Sequence, residues 1–144
     1  MTTADIGHYA GKHGSETVAN PMIRHALMKR APDGRLPCAV AFDVARELGV
    51  MPEAVGTTAD LMDLRLAKCQ LGLFGYSPQK KIVKPATSIS PSLERAIREA
   101  LVEDCLPCQR AWKIAEACGI HKMKVSAACD ALKIKIRPCQ LGAF

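Results

Sequence analysis

Aromatic residues are scarce, with one Trp, two Tyr and three Phe making 4% of the 144-residue chain. A core must therefore be assembled from Leu, Ile, Val, Ala and Cys. The apolar share of 49% is that of a globular chain rather than a disordered one. No stretch reaches the roughly 20 apolar residues of a membrane helix, so no membrane partner is expected. The N-terminus lacks the basic–apolar–small order of a signal peptide. Seven cysteines are an odd number in a chain without an export signal, and they read as reduced thiols in a cytoplasmic protein. His8, His13, His25 and His121 share no metal-ligand spacing, and no cofactor is expected. Residues 1–19 have no sustained apolar period and read as a flexible tail. Within it, Gly7 to His13 falls one residue short of a phosphate-binding loop and has His where Ser or Thr should hold the metal.

What the chain does have is a repeat. Displaced by 70 positions without a gap, Leu36-Pro37-Cys38 falls on Leu106-Pro107-Cys108, and Cys69-Gln70-Leu71-Gly72 falls on Cys139-Gln140-Leu141-Gly142. Ala45, Gly49, Val55 and Asp60 match Ala115, Gly119, Val125 and Asp130. The spacing defines two small modules, 20–75 and 90–144, joined by a linker, 76–89. Units this small bury limited surface, so the two should pack together or dimerise. Net charge is +6, of which the linker and the second module carry +3 each, the first module +1 and the tail −1. A charge excess gathered in one half suits a polyanion partner.

Asn20-Pro21 and Ser90-Pro91 each place a capping residue before a Pro at the first helical position. The helices they open are predicted to run to about Arg30 and Glu103. Leu-Pro-Cys opens a second helix in each module, ended by Gly49 or Gly119, and a third follows near 52–63 and 122–131. Leu132, Ile134 and Ile136 then alternate with Lys133, Lys135 and Arg137, which predicts a strand with one basic face; Leu64 to Lys68 is its weaker counterpart. Gly72 and Gly142 are expected to turn the chain so that Phe74 and Phe144 anchor it. The fold class is thus mainly α: two repeated three-helix modules, each with a short C-terminal strand or wing, related by a pseudo-two-fold.

The triples Ala45, Gly49, Val55 and Ala115, Gly119, Val125 carry the spacing of the helix-turn-helix motif. There a small residue lets two helices cross, a glycine turns the chain and an aliphatic residue fills the angle. The central part of each module resembles the helix-turn-helix superfamily in its winged-helix form. The resemblance implies binding of double-stranded DNA, most simply by a transcriptional regulator, with the second helix of the motif in the major groove. It would bring His121, Lys122, Met123, Ser126, Ala127 and Asp130 to base edges and Lys124 and Lys133 to phosphates. Arg110 and Lys113 would cross the backbone on the preceding helix, and Lys135 and Arg137 would lie on the wing. In the first module Glu53, Asp60 and Asp63 would repel phosphates, leaving Thr57 and Thr58. The linker adds Lys80, Lys81 and Lys84, on either a return strand of the first wing or a solvated tether.

Cys38 with Cys69, and Cys108 with Cys139, recur at matching places. They either fill space in the core or hold a shared thiolate site for zinc or an iron–sulfur cluster. Cys105 and Cys108 form a lone Cys-x-x-Cys without the βαβ context of a redox motif, and Arg35 replaces Cys105 in the first module. Pro107-Cys108-Gln109-Arg110 is similar to the Pro-Cys-His-Arg of DNA alkyltransferases, but Gln stands for His, and no enzymatic role is expected. The alternative to DNA binding is a metal- or thiol-linked accessory module that binds a protein, as a homodimer or with another partner.

Overall fold

The structure is a computed structural model that describes residues 19–77 and 79–143. The tail at 1–18 and the Phe144 anchor lie outside the described residues. Among the described residues the chain is mainly helical, with six helices and one two-stranded parallel sheet. It divides into two compact units.

The first unit runs to Cys69 and takes in Leu141–Ala143. Helix α1, Pro21–Arg30, starts where Asn20 accepts hydrogen bonds from the Met22 and Ile23 amides, at 2.9 and 3.2 Å. Strand β1, Arg35–Pro37, leads directly into α2, Cys38–Leu48. Gly49, left-handed at φ 64°, ends α2 and turns the chain into α3, Pro52–Leu61. Strand β2, Arg65–Ala67, returns parallel to β1 with Leu36 opposite Leu66. The core gathers Ile23, Leu27, Leu36, Ala41, Val44 and Val55, all fully buried. Burying each Leu, Ile or Val contributes about 1.5–3 kcal/mol. With one Phe among the buried residues, the unit is aliphatic as its composition requires.

The second unit runs from Gln70 to Gln140. Helix α4, Pro91–Glu99, is capped by the Ser90 hydroxyl, which accepts from the Leu93 amide at 3.2 Å. Helix α5, Cys108–Cys118, ends at Gly119, φ 65°, before α6, Lys122–Ala131. Each of these elements begins 70 residues after its counterpart in the first unit. Ile97, Leu106, Ala111 and Val125 are fully buried, as are Leu27, Leu36, Ala41 and Val55 at the matching places.

Several expectations are corrected. Helix α4 stops at Glu99 rather than Glu103, because Val102 and Cys105 exchange backbone hydrogen bonds around a turn that puts Glu103 and Asp104 at positive φ. The alternating run Leu132 to Arg137 is no strand. Leu132 caps α6, Lys133 is left-handed, and the only pairing is the parallel bridge Leu106–Ile136. The bridge is not extended, because the Lys135 amide makes no bond to the Asp104 carbonyl, the place matching Gly34 in the first unit. The weaker pattern in the first unit forms the true strand, because there the Arg65 amide donates to the Gly34 carbonyl at 2.8 Å and lengthens the ladder.

No antiparallel wing occurs among the described residues, and the linker is neither a return strand nor a solvated tether. The Ile82 and Val83 amides donate to the Gly72 carbonyl at 2.9 and 3.1 Å, and the Ala86 amide donates to Ala127 on α6 at 2.9 Å. The unit boundaries also depart from the repeat. Residues 70–89 belong with the second module's helices, while 141–143 belong with the first's. Leu71 and Leu141, 0% and 2% exposed, are the buried anchors of these segments, whereas Phe74 is half-buried.

Candidate nucleic-acid interface

The middle of α6 is where the resemblance would put base readout, and it is covered. Ser126 is 1% exposed and its hydroxyl donates to the Leu71 carbonyl at 2.6 Å. The Ala127 carbonyl receives the Ala86 amide, and Asp130 pairs with Lys81 at 3.3 Å. The Met123 sulfur lies so close to Gly72 that a Cβ there would stand 2.7 Å from it. Leu71, Gly72, Lys81 and Ala86 therefore lie against the middle of the face assigned to base edges, and Ser126 is corrected from a base-reading residue to a structural one. The helical spacing that picked these positions describes α6 alone and carries no information about a segment that lies over it.

Elsewhere the second unit presents exposed cations. Lys113 on α5, Lys124 on α6, and Lys133, Lys135 and Arg137 beyond it are exposed and make no ion pair among the described residues. His121, the N-cap of α6, is exposed as well. Lys122 lies over the Trp112 ring, 4.5 Å from its centre. That cation–π contact joins the start of α6 to α5 and sets Lys122 beside the turn of α5 that carries Lys113. Arg110 spends one guanidinium hydrogen on the Ala100 carbonyl at 3.0 Å, which pins the end of α4 to α5. Lys80 and Lys84 are exposed, while Lys81 is held by Asp130. Because the linker belongs to this unit, residues 70–140 carry the whole of the +6 excess, against +1 for residues 20–69.

In the first unit Thr58 is 2% exposed and its hydroxyl donates to the Ala54 carbonyl at 3.0 Å, one turn back along α3. It is corrected from a contact residue to a core one, and only Thr57 is partly accessible. Asp60 is also buried, so Glu53 and Asp63 alone of the expected repelling acids are exposed. Gly56 stands at the place of Ser126, where an added Cβ would lie 1.9 Å from the Leu141 carbonyl oxygen. Trp112, Leu71 and Gly72 shape this surface and were not read as part of it, since their roles come from contacts distant in sequence.

Among the described residues no group of three or more Cys, His, Asp or Glu is placed to hold a metal ion. Cys38, Cys69 and Cys108 are buried and Cys139 is half-buried. Burial pushes the Cys129 thiol up to about 11, which keeps it neutral and unreactive at physiological pH. In the folded protein iodoacetamide is expected to label exposed Cys118 first and Cys129 last. Equal labelling rates at these two residues would contradict the packing of α6. No helix is long and apolar enough to cross a membrane among the described residues. No known protein family matches the chain, and no curated protein or solved structure matches it.

Proposed function

We propose that the protein binds double-stranded DNA through the phosphate backbone, using the second unit, and that it serves as a small regulator or architectural factor with no enzymatic activity. The observation that carries this reading is the set of exposed cations without ion-pair partners, Lys113, Lys124, Lys133, Lys135 and Arg137, on a unit with an excess charge of +6. Phosphate contacts from Lys and Arg supply affinity that is independent of sequence. The two helix pairs, α2–α3 and α5–α6, are read as repeated helix-turn-helix modules. Support comes from the constant 70-residue displacement and from the burial of Ala45, Val55, Ala115 and Val125 around Gly49 and Gly119. Base readout from the middle of α6 is not part of the proposal, because Leu71, Lys81 and Ala86 engage Ser126, Asp130 and Ala127 there. His121, Lys122 and Lys124 at its N-terminal end are the α6 side chains left to approach a groove.

The same covered face favours a second reading, an accessory module that binds a protein and leaves DNA alone. Titration of a fluorescent random-sequence duplex at low salt separates the two. The DNA reading expects saturable binding in the range of non-specific DNA-binding proteins, with a Kd of about 10⁻⁶–10⁻⁴ M or tighter. An absence of binding at low salt would leave the accessory reading.

A further inference from the structure

Backbone and side-chain hydrogen bonds of the second unit bring the segment around Cys139 to Cys108 at the start of α5. In the parallel bridge, the Leu106 amide donates to the carbonyl of Lys135, the residue before Ile136, and this sets Leu106 against Ile136. Two residues on, the Cys108 amide donates at 3.1 Å to the carbonyl of Pro138, the residue before Cys139. A regular parallel register would carry the Cys108 amide to the Arg137 carbonyl, so the pairing has slipped by one residue and brings the start of α5 against the Pro138–Cys139 peptide. The Gln140 side-chain amide then donates to the Cys108 sulfur at 3.4 Å, so Cys139 is bracketed on both sides by residues bonded to Cys108. The 3.1 Å backbone hydrogen bond onto the peptide that precedes Cys139 makes the two cysteines neighbours, as a disulfide, with roughly 4.4–6.8 Å between its Cα atoms, requires.

The two sulfurs differ in a way that suits sequential chemistry. Cys139 is half-buried, while Cys108 is 6% exposed. Cys108 is the first residue of α5, and its sulfur accepts the Gln140 side-chain amide hydrogen, which fixes that sulfur toward the segment carrying Cys139. We propose that Cys108 and Cys139 form an oxidisable dithiol site whose substrate is a hydroperoxide. The Cys139 sulfur attacks the peroxide oxygen, the O–O bond breaks, and an alcohol or water leaves, with Cys139 now a sulfenic acid. The Cys108 sulfur then attacks the Cys139 sulfur, the S–O bond breaks, and hydroxide leaves as water with the thiol proton. In balance, two thiols and one hydroperoxide give one disulfide, one alcohol and one water.

The first unit supplies an internal comparison. Cys38 and Cys69 occupy the matching places, but both are buried, at 8% and 5% exposure. An oxidant that must reach a sulfur from solvent therefore meets Cys139 and not Cys69. This inference does not depend on DNA binding.

The test treats the full chain, as Cys118→Ser to remove the exposed thiol, with equimolar hydrogen peroxide. Free thiols are then alkylated, and the protein is digested without reduction for mass spectrometry. The expected result is the loss of two thiols and one crosslinked peptide pair, Cys108 to Cys139, which disappears on reduction. Cys38 and Cys69 should remain open to alkylation after unfolding. Cys139→Ser should abolish the crosslink while circular dichroism shows the helices intact. A Cys105–Cys108 or Cys38–Cys69 crosslink as the main product would overturn the proposal. So would over-oxidation of Cys139 with Cys108 still alkylatable, or no oxidation at all.

Discussion

Gly56→Ala is expected to lower the melting temperature by about 10–20 °C, corresponding to about 3 kcal/mol of lost stability. Helix propensity alone gives the opposite sign, since alanine in a helix interior is favoured over glycine by about 1 kcal/mol. Gly56 lies in the middle of α3, where that gain should apply. A Cβ at this position would stand 1.9 Å from the Leu141 oxygen, 2.7 Å from its carbonyl carbon and 3.0 Å from its Cα. These are backbone atoms of a residue that is 2% exposed, so nothing flexible can move aside. The clash must displace residues 141–143 from α3 and take Leu141 out of the core. At the matching place in α6 a side chain is accommodated, because Ser126 turns the approach into a hydrogen bond to the Leu71 carbonyl. Differential scanning calorimetry decides the matter. A melting temperature that stays level or rises would mean that Leu141 does not seat against α3.

The second large effect concerns charge. Replacing Lys113, Lys124, Lys133 and Lys135 together by alanine is expected to weaken duplex DNA binding by about four thousandfold near 0.1 M salt, at about eightfold per lost phosphate contact. Stability should hardly change, because these side chains are exposed and outside any ion pair, and such substitutions usually stay within about 0.5 kcal/mol each. Removing charge from the first unit as Arg24→Ala with Lys29→Ala should leave affinity nearly unaltered, which controls for non-specific attraction. Fluorescence anisotropy on one duplex measures all three proteins. Equal loss in both sets would assign the attraction to net charge rather than to the second unit's surface.

The sequence was most legible where structure is local. Asn20-Pro21 and Ser90-Pro91 mark helix starts because a cap and a proline act on the next three amides. Gly49 and Gly119 mark helix ends because the left-handed turn is a property of one residue. The displacement of 70 carried the positions of α2, α3, α5 and α6 to within two residues. What failed was non-local. The alternation from Leu132 to Arg137 has the period of a strand, but a strand also needs a partner, and the Lys135 amide makes no bond to Asp104 like the one Arg65 donates to Gly34 in the first unit.

The site divides the same way. Lys124, Lys133 and Lys135 are exposed as their spacing on or beyond α6 suggests, because charge seeks water unless something intervenes. Ser126 and Asp130 were misassigned because Leu71 and Lys81 reach them across more than forty residues of sequence. Thr58 was misassigned for a simpler reason: its hydroxyl can be satisfied by Ala54 one turn back, which lets it be buried in α3. Neither the repeat nor the helix-turn-helix resemblance encodes that Leu141–Ala143 belong with the first unit and Gln70 onward with the second. The repeated Cys-Gln-Leu-Gly segments hold that information only through the fit of Leu71 beside Ser126 and of Leu141 beside Gly56.

The most direct measurement is the salt dependence of binding to a single random-sequence duplex, for the wild-type chain and for the four-lysine variant. The account expects log Kd to rise linearly with log salt for the wild type, and the slope to fall by about three to four units in the variant, at about 0.9 per lost phosphate contact. Equal slopes for the two proteins, or no binding by the wild type at low salt, would contradict it.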